Sequence, residues 1–218
     1  MPKPMLLLIM LILSACLPKL SPEESARSIN SGERLLNETF SNPGNWSSFN
    51  TDAYAATVAD GVYRMLLAES DQYIYGTNRE HYSNTIIDVD VTWLSDNPDA
   101  FAGVICRLHP ENGRGYYVVV SAAGDFSIRY LGRNQDDAIV RWQGDSGIPR
   151  SGSFRMRVIC VEDFIALYID GEYIDGGEDR RLRDGQIGLT IGMPGIAAQG
   201  EVAMVEFDDL RVWEASFP

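Results

Sequence analysis

The chain has 218 residues and a formal net charge of -13, with 18 Lys and Arg against 31 Asp and Glu. Binding to nucleic acid requires a basic stripe that releases counterions, and the sequence contains no such run. It also lacks a glycine loop of the kind that cradles phosphates, so neither nucleic acid nor nucleotide is an expected partner. The length fits one all-β domain of the larger kind.

The first fifteen residues have the pattern of a secretory signal peptide. A single basic residue, Lys3, precedes an unbroken apolar run over residues 6–13 that is too short to span a bilayer as a mature helix. The run ends in Leu-Ser-Ala-Cys at residues 13–16, which resembles the bacterial lipobox. That resemblance implies cleavage before Cys16, lipid on its sulfur, and membrane lipid as a partner. A secretory peptide that merely contains a cysteine is the alternative.

Cleavage would remove Lys3 and leave a mature chain with a net charge of about -14. We expect this chain to be exported and lipid-anchored to the cell membrane or, because Leu17 rather than Asp follows the cysteine, to an outer membrane. Residues 17–36 are poor in apolar side chains, which predicts a flexible tether with a reach of about 25 Å. A short amphipathic helix over residues 23–36 is the alternative.

The predicted organisation is therefore a signal peptide at residues 1–15, a lipidated cysteine with its tether at 16–36, and a β-sandwich domain at 37–218. In that last part, short runs rich in Val, Ile and Tyr alternate with Gly, Asn, Asp and Pro turns. Two hairpin turns are predicted, at residues 122–125 and 162–163. The predicted strands cover residues 61–68, 85–93, 102–108, 115–121, 125–131, 138–142, 154–161, 164–169, 186–191 and 202–213.

About ten antiparallel strands at this spacing predict a two-sheet sandwich. A set of short motifs lies, in chain order, at residues 37–40 with Trp46, and at 60–63, 101–107, 115–117, 154–158, 167–171, 185–189 and 207–212. In this order and spacing, the motifs resemble the concanavalin A-like lectin/glucanase jelly roll, closest to its bacterial laminin G-like branch, a glycosidase-related domain of unknown function. The resemblance implies an all-β, two-sheet antiparallel jelly-roll sandwich. Gly171 is expected in a tight turn and Gly188 at a bulge or close backbone approach.

Hydrolases of this superfamily need two carboxylates that face each other across the sugar. The Glu-x-Asp-x-x-Glu run that the resemblance leads us to look for is absent. Asp88 and Asp90 are the nearest imitation, since they share one face of a strand about 7 Å apart. Solvated residues opposite a core face explain the same pattern, so we assign no catalytic residue and keep these two as weak candidates.

The sequence has too few His and Cys residues for a metal site built from them, because the two His and the two remaining Cys lie far apart without ligand spacing. Asp208 and Asp209 are weak calcium candidates. The core parity of the last strand changes across them, which predicts a bulge that could aim carboxylates at Ca²⁺. The bulge alone explains the pattern, so no cofactor is predicted.

Cys106 and Cys160 form an even pair in an exported domain, and both share strand parity with apolar neighbours. We therefore predict a disulfide between them; two buried free thiols are the alternative. Four residues are candidates for binding a carbohydrate because of their type and their outward parity or place at a strand end: Arg107, Tyr117, Arg129 and Trp142.

Two classes of function remain, with a third behind them. The first is a surface-anchored, non-catalytic module that binds a glycan or another envelope protein. The second is a glycoside hydrolase with an atypical acid pair, and the third is a purely structural envelope protein. Fold resemblance alone does not separate them.

Overall fold

A computed structural model of the chain describes residues 20–195 and 201–218. These residues form one helix, α1 (Pro22–Ser28), a 3-10 turn (Pro43–Asn45) and fifteen strands. The strands are β1 (Asn30–Glu38), β2 (Phe49–Asn50), β3 (Tyr54–Ala59), β4 (Val62–Leu67), β5 (Gln72–Tyr82), β6 (Thr85–Trp93), β7 (Phe101–His109), β8 (Arg114–Ser121), β9 (Asp125–Gly132), β10 (Gln135–Gly144), β11 (Gly152–Val161), β12 (Phe164–Ile169), β13 (Glu172–Glu178), β14 (Gly185–Met193) and β15 (Ala203–Ser216).

The strands of the described residues make two antiparallel sheets. A nine-stranded sheet has the order β13-β12-β11-β6-β15-β4-β3-β2, and β1 pairs with the C-terminal part of β15, beyond the end of β4. A six-stranded sheet has the order β10-β9-β8-β7-β14-β5. The prediction of an all-β, two-sheet antiparallel sandwich is confirmed. Each of the ten predicted strands is present, and the turns at residues 122–125 and 162–163 join paired strands.

Alternation along each strand separates the core from the two outer faces. In β6, Ile87, Val89 and Val91 are fully buried between the sheets, whereas Asp88 and Asp90 point outward. Successive side chains of a strand point to opposite faces, so an apolar set at every second position lines the core. The core therefore lies between the two sheets, and each sheet keeps one outer face.

The two sheets are joined by a disulfide between Cys106 of β7 and Cys160 of β11. Their α-carbons are 6.7 Å apart and both residues are buried in the core. The predicted bridge is confirmed. It links strands from different sheets, which closes the chain across the sandwich.

The two glycines that were predicted at a turn and at a bulge have the expected backbone environment. Gly171 has φ of +87° in the turn between β12 and β13, and the pairing of β14 with both neighbours shifts register between Gln186 and Gly188. A β-carbon at Gly188 would lie 3.0 Å from a side-chain atom of Leu108. Both expectations from the sequence are confirmed.

The prediction of a flexible tether through residue 36 is wrong from Pro22 onward. Ser21 and Glu24 form a capping box that starts α1, and Ala26 packs on the outer side of the nine-stranded sheet. The next residues form β1, whose side chains are mostly exposed and which is held by backbone pairing with β15. The sandwich thus begins at Asn30 rather than at residue 37. Apolar periodicity in the sequence could not predict α1 or β1, because neither element is held in place by a periodic apolar face.

The signal peptide and the lipobox, with Cys16, lie outside the described residues. In residues 20–195 and 201–218, no helix combines the length and the apolar character that a membrane crossing needs.

Candidate functional site

The outer face of the six-stranded sheet carries an unusual concentration of aromatic side chains. In β8, Tyr116, Val118 and Val120 belong to the core between the sheets, so Tyr117 and Val119 point outward. We call the patch that surrounds them the aromatic face. It consists of Tyr73 of β5, Phe101 of β7, Tyr117 and Val119 of β8, and Trp142 of β10.

The aromatic face has a buried floor and an exposed upper layer. Tyr117 and Val119 are only 1% and 2% exposed, although they lie on the outside of the sheet, whereas Tyr73 and Trp142 are 42% and 43% exposed. The ring centroids of Tyr73 and Tyr117 lie 5.7 Å apart in an edge-on arrangement, and those of Phe101 and Trp142 lie 6.2 Å apart. Tyr73 therefore packs against the buried Tyr117 and Trp142 packs against Phe101, while both exposed rings keep area for a ligand.

A glycine on the neighbouring strand makes this packing possible. A β-carbon at Gly192 of β14 would lie 2.1 Å from the ring of Phe101, so the Phe101 ring lies over a position that has no side chain. The Tyr117 hydroxyl donates to the carbonyl oxygen of Gly113 at 3.3 Å. Burial, with smaller contributions from Tyr73 and Tyr75, raises the pKa of Tyr117 well above its ordinary value. The phenol therefore stays neutral at physiological pH.

Two clefts adjoin on this face. A cleft of about 260 Å³ is lined by Tyr73, Tyr117, Arg129 and Trp142, among others. A second cleft of about 310 Å³ shares Phe101 and Trp142 with the first and includes Asp99 and Asp125. Both clefts combine apolar rings with a few polar groups, which is typical of small-molecule sites.

Polar groups in the first cleft are held in fixed positions. Arg129 Nε donates to Asp136 Oδ1 at 2.6 Å, and Arg129 Nη1 donates to the Ser127 hydroxyl at 3.3 Å. The side chain of Arg129 is 18% exposed and that of Asp136 is 60% exposed. The structure thus brings three of the four predicted carbohydrate-binding candidates, Tyr117, Arg129 and Trp142, to one cleft.

The fourth candidate, Arg107, lies elsewhere and is only 2% exposed. Its guanidinium donates to the carbonyl oxygens of Ser83, Glu162 and Leu182 at 2.6 to 3.1 Å, and to the side-chain oxygen of Asn84 at 3.2 Å. Burial lowers its pKa. The prediction that its side chain points outward is wrong, because the register of β7 shifts after Cys106 and Arg107 has φ of +54°. Arg107 therefore links the β5–β6, β11–β12 and β13–β14 connections through hydrogen bonds.

The weak catalytic candidates lie on the opposite side of the sandwich, on the outer face of the nine-stranded sheet. Asp88 accepts two hydrogen bonds from Arg157, at 2.6 and 2.8 Å, and Asp90 accepts one from Arg155 at 2.7 Å. The bond to Asp88 raises the pKa of Arg157. Both carboxylates are therefore engaged by arginines on the neighbouring strand β11, in an arrangement that resembles a cross-strand ladder of ion pairs.

The predicted bulge at Asp208 and Asp209 is confirmed, since the pairing of β15 with β6 shifts register after Asp208 and Asp209 has φ of +50°. The carboxylate of Asp209 forms an ion pair with Arg211 and lies 3.6 Å from Arg155. Across the described residues there is no group of three or more His, Cys, Asp or Glu side chains placed to hold a metal. The bulge directs Asp209 toward arginines.

The sequence does not predict Val119 or two aromatic residues, Tyr73 and Phe101, as members of the aromatic face. Tyr73 lies in β5, a strand that was not predicted, and Phe101 was recognised only as part of a motif. Alternate tyrosines at positions 73 and 75 were a period-two signal for an outward aromatic pair. Several polar residues surround them, so the apolar content of the segment stayed low.

No protein-family model and no curated protein matches the chain. In fold it is similar to the carbohydrate-binding module CBM66 from Bacillus subtilis, which is 15% identical with a TM-score of 0.55; the match covers 79% of this chain and 98% of that one. It is also similar to a galectin-like protein of unknown function from Bacillus subtilis, with 11% identity, a TM-score of 0.64, and 87% and 100% coverage.

A third similar structure is the β-glucanase of Bacillus licheniformis, with 12% identity, a TM-score of 0.60, and 85% and 99% coverage. The fold is a concanavalin A-like jelly roll. At these identities the likeness concerns the course of the backbone. The chemistry of this jelly roll depends on its own side chains.

Proposed function

We propose that this domain binds carbohydrate on the aromatic face of the six-stranded sheet and does not cleave it. The observation that carries the proposal is the pair of half-exposed rings, Trp142 and Tyr73, beside the fixed polar pair of Arg129 and Asp136. Sugar rings present apolar C–H surfaces that pack on aromatic rings, and their hydroxyl groups bond to such polar side chains. The likeness to a carbohydrate-binding module and to a β-glucanase supports the same class of ligand.

The non-catalytic part of the proposal rests on the carboxylates. Asp88 and Asp90 are engaged by arginines on the outer face that lies away from the aromatic face, and Asp136 is engaged by Arg129. Glycosidic hydrolysis requires two carboxyl groups on either side of one sugar bond, one of them able to give up a proton to the leaving group. These three carboxylates lack that arrangement.

One observation favours a second candidate function. Asp99 and Asp125 line the same cleft next to Trp142, so a hydrolase of this fold would use these two carboxylates in place of Asp88 and Asp90. Reducing-sugar release from a panel of polysaccharides separates the two functions. We expect none. If the protein releases reducing sugar and either Asp99→Asn or Asp125→Asn abolishes that release, the domain is an enzyme and not a non-catalytic binding module.

Retention of the full chain on a panel of insoluble polysaccharides tests binding itself. Sugar sites of this open kind must displace bound water, so we expect dissociation constants on the order of micromolar to millimolar. Trp142→Ala should weaken retention by about 1 to 3 kcal/mol, since it removes a stacking ring. Tyr54→Ala is the matched control, because Tyr54 is similarly exposed, at 38%, on the nine-stranded sheet. Equal retention of both variants would contradict the proposed site.

We also propose that the domain is displayed outside the cytoplasm by lipid on Cys16, which would place it where glycans are met. Support comes from the lipobox-like residues 13–16 alone. Cys16→Ser should move the protein from the membrane fraction to the soluble fraction when cells are fractionated. Unchanged membrane association of that variant would show that lipid on Cys16 is not the anchor.

A further inference from the structure

Two adjoining clefts on the aromatic face share Trp142 and Phe101 as lining residues. Both residues line the cleft of about 260 Å³ and also the cleft of about 310 Å³. Tyr73 lies in the first cleft, and Asp99 and Asp125 lie in the second. A ligand that uses both clefts must therefore pass along Trp142 and Phe101, with one part in each cleft.

The charges that line the two clefts are predominantly negative. Among the described residues that line them, the only cationic side chain is Arg129, and Asp136 already binds it. Asp99 and Asp125 add two carboxylates in the second cleft, and the whole chain carries a net charge of -13. A ligand with the same sign of charge as its binding site is repelled, which weakens its binding. Sugars that carry carboxylate or sulfate groups are therefore disfavoured.

We infer that the aromatic face binds an internal stretch of a neutral glycan, with at least one sugar ring in each of the two clefts, rather than a single terminal sugar or an acidic glycan. This inference rests on the proposed function. A second linked ring adds its contacts without a second loss of translational freedom, so affinity should rise with chain length until both clefts are filled.

An array of oligosaccharide ladders tests the inference with the full chain. The ladders hold one to six units of β-1,3-linked glucose, β-1,4-linked glucose, β-1,4-linked mannose, β-1,4-linked xylose and, as the acidic series, α-1,4-linked galacturonic acid. In at least one neutral ladder we expect affinity to rise about tenfold or more between one and three units and then to level off. The galacturonic acid ladder should stay about tenfold or more weaker than that neutral ladder at low salt.

Variants assign these effects to the two clefts. Trp142→Ala should remove the gain between one and three units, whereas Tyr54→Ala should preserve it. Replacing both Asp99 and Asp125 with Asn should raise binding of the galacturonic acid ladder relative to the neutral one by several-fold, because two repelling charges are gone. Both of these aspartates line the cleft surface, so thermal melting of each variant should accompany the array.

The outcomes separate the inference from the function on which it rests. If neither these ladders nor the polysaccharide panel is bound, the proposed carbohydrate binding is wrong. If a ladder binds with no gain beyond one unit, or if galacturonic acid binds as well as the neutral sugars, the protein binds carbohydrate but the inference of an internal neutral stretch is wrong. Since length and charge dependence are measured on the unaltered chain, a misfolded variant cannot hide either result.

Discussion

Side chains alternate between the core and the outside in both sheets of the sandwich, but the two outer faces carry different kinds of side chain. On the nine-stranded sheet, the outward residues of β6, β11 and β15 include Asp, Glu and Arg side chains that form ion pairs. On the six-stranded sheet, the outward residues are largely aromatic and aliphatic. The pairs on the first face are Arg157 with Asp88, Arg155 with Asp90, Arg64 with Glu206, and Arg211 with Asp209.

This difference separates a face whose side chains are satisfied internally from one that offers contacts to something else. Four carboxylates of the first face, those of Asp88, Asp90, Glu206 and Asp209, are bound by neighbouring arginines, and α1 covers one end of the face through Ala26. The aromatic face instead leaves Trp142 and Tyr73 more than two-fifths exposed above a buried apolar floor. Contiguous exposed apolar area on a soluble protein marks an interaction site, whereas a self-neutralised charged surface needs no partner.

One of the two largest effects should come from removing the disulfide that joins the two sheets. Replacing Cys106 and Cys160 together with Ala removes the bridge between β7 and β11, which closes a loop across a sequence separation of 54 residues. In the chain-entropy model the loss of free energy of unfolding is about 4 kcal/mol. Urea unfolding measures it. Polysaccharide retention under native conditions should persist, because the bridge lies in the core.

Full alkylation of both cysteines in the denatured, non-reduced protein would show that the bridge does not form. An unchanged urea midpoint for the double variant would show instead that the bridge adds nothing to stability.

The next effect tests whether the floor of the aromatic face behaves as a core. Tyr117→Ala should lower the free energy of unfolding by about 3 to 5 kcal/mol, since it opens a cavity under Tyr73. Tyr117→Phe removes only the hydroxyl group, with its hydrogen bonds to Gly113 and Tyr73, and should cost about 1 kcal/mol. Chemical denaturation of both variants measures the difference. Equal, small losses would mean that the outward ring is not packed as described.

The smallest effects belong to the ion-paired face. Asp88→Asn should lower the free energy of unfolding by about 1 to 2 kcal/mol, because Asp88 is 6% exposed and bound at two points by Arg157. Asp90→Asn should cost less than about 1 kcal/mol, since the side chain of Asp90 is 45% exposed. Neither change should alter retention on polysaccharides. Loss of binding in either variant would place the site on the wrong face.

Much of this contrast could be predicted from the sequence, because a strand with one buried side has a period of two. That rule predicts Asp88 and Asp90 outward, the two cysteines inward, and Tyr117 and Arg129 each outward from its own strand. It also predicted the bulge in β15 from the change of parity around Asp208. These features depend on local alternation, which a single sequence displays directly.

The remaining features depend on irregular backbone or on partners distant in sequence. Arg107 follows Cys106 at a register shift, so counting by twos gives the wrong face for it. Strand β1 is held by β15, almost two hundred residues later, through backbone hydrogen bonds that leave no apolar pattern. Tyr73 contacts Tyr117 because the strands pair in the order β5, β14, β7 and β8. The sequence of a single strand does not show which strands will be its neighbours.

Radical footprinting of aromatic side chains, with and without the neutral glycan that binds most tightly, tests the central claim most directly. Hydroxyl radicals oxidise exposed rings, and the chain supplies its own control: Trp142 and Tyr73 on the aromatic face, and Tyr54 on the nine-stranded sheet, have similar exposure of 38% to 43%. We predict that saturating glycan slows oxidation of Trp142 and Tyr73 several-fold and leaves Tyr54 unchanged. Protection of Tyr54 with Trp142 left unprotected would contradict the assignment of the glycan to the aromatic face.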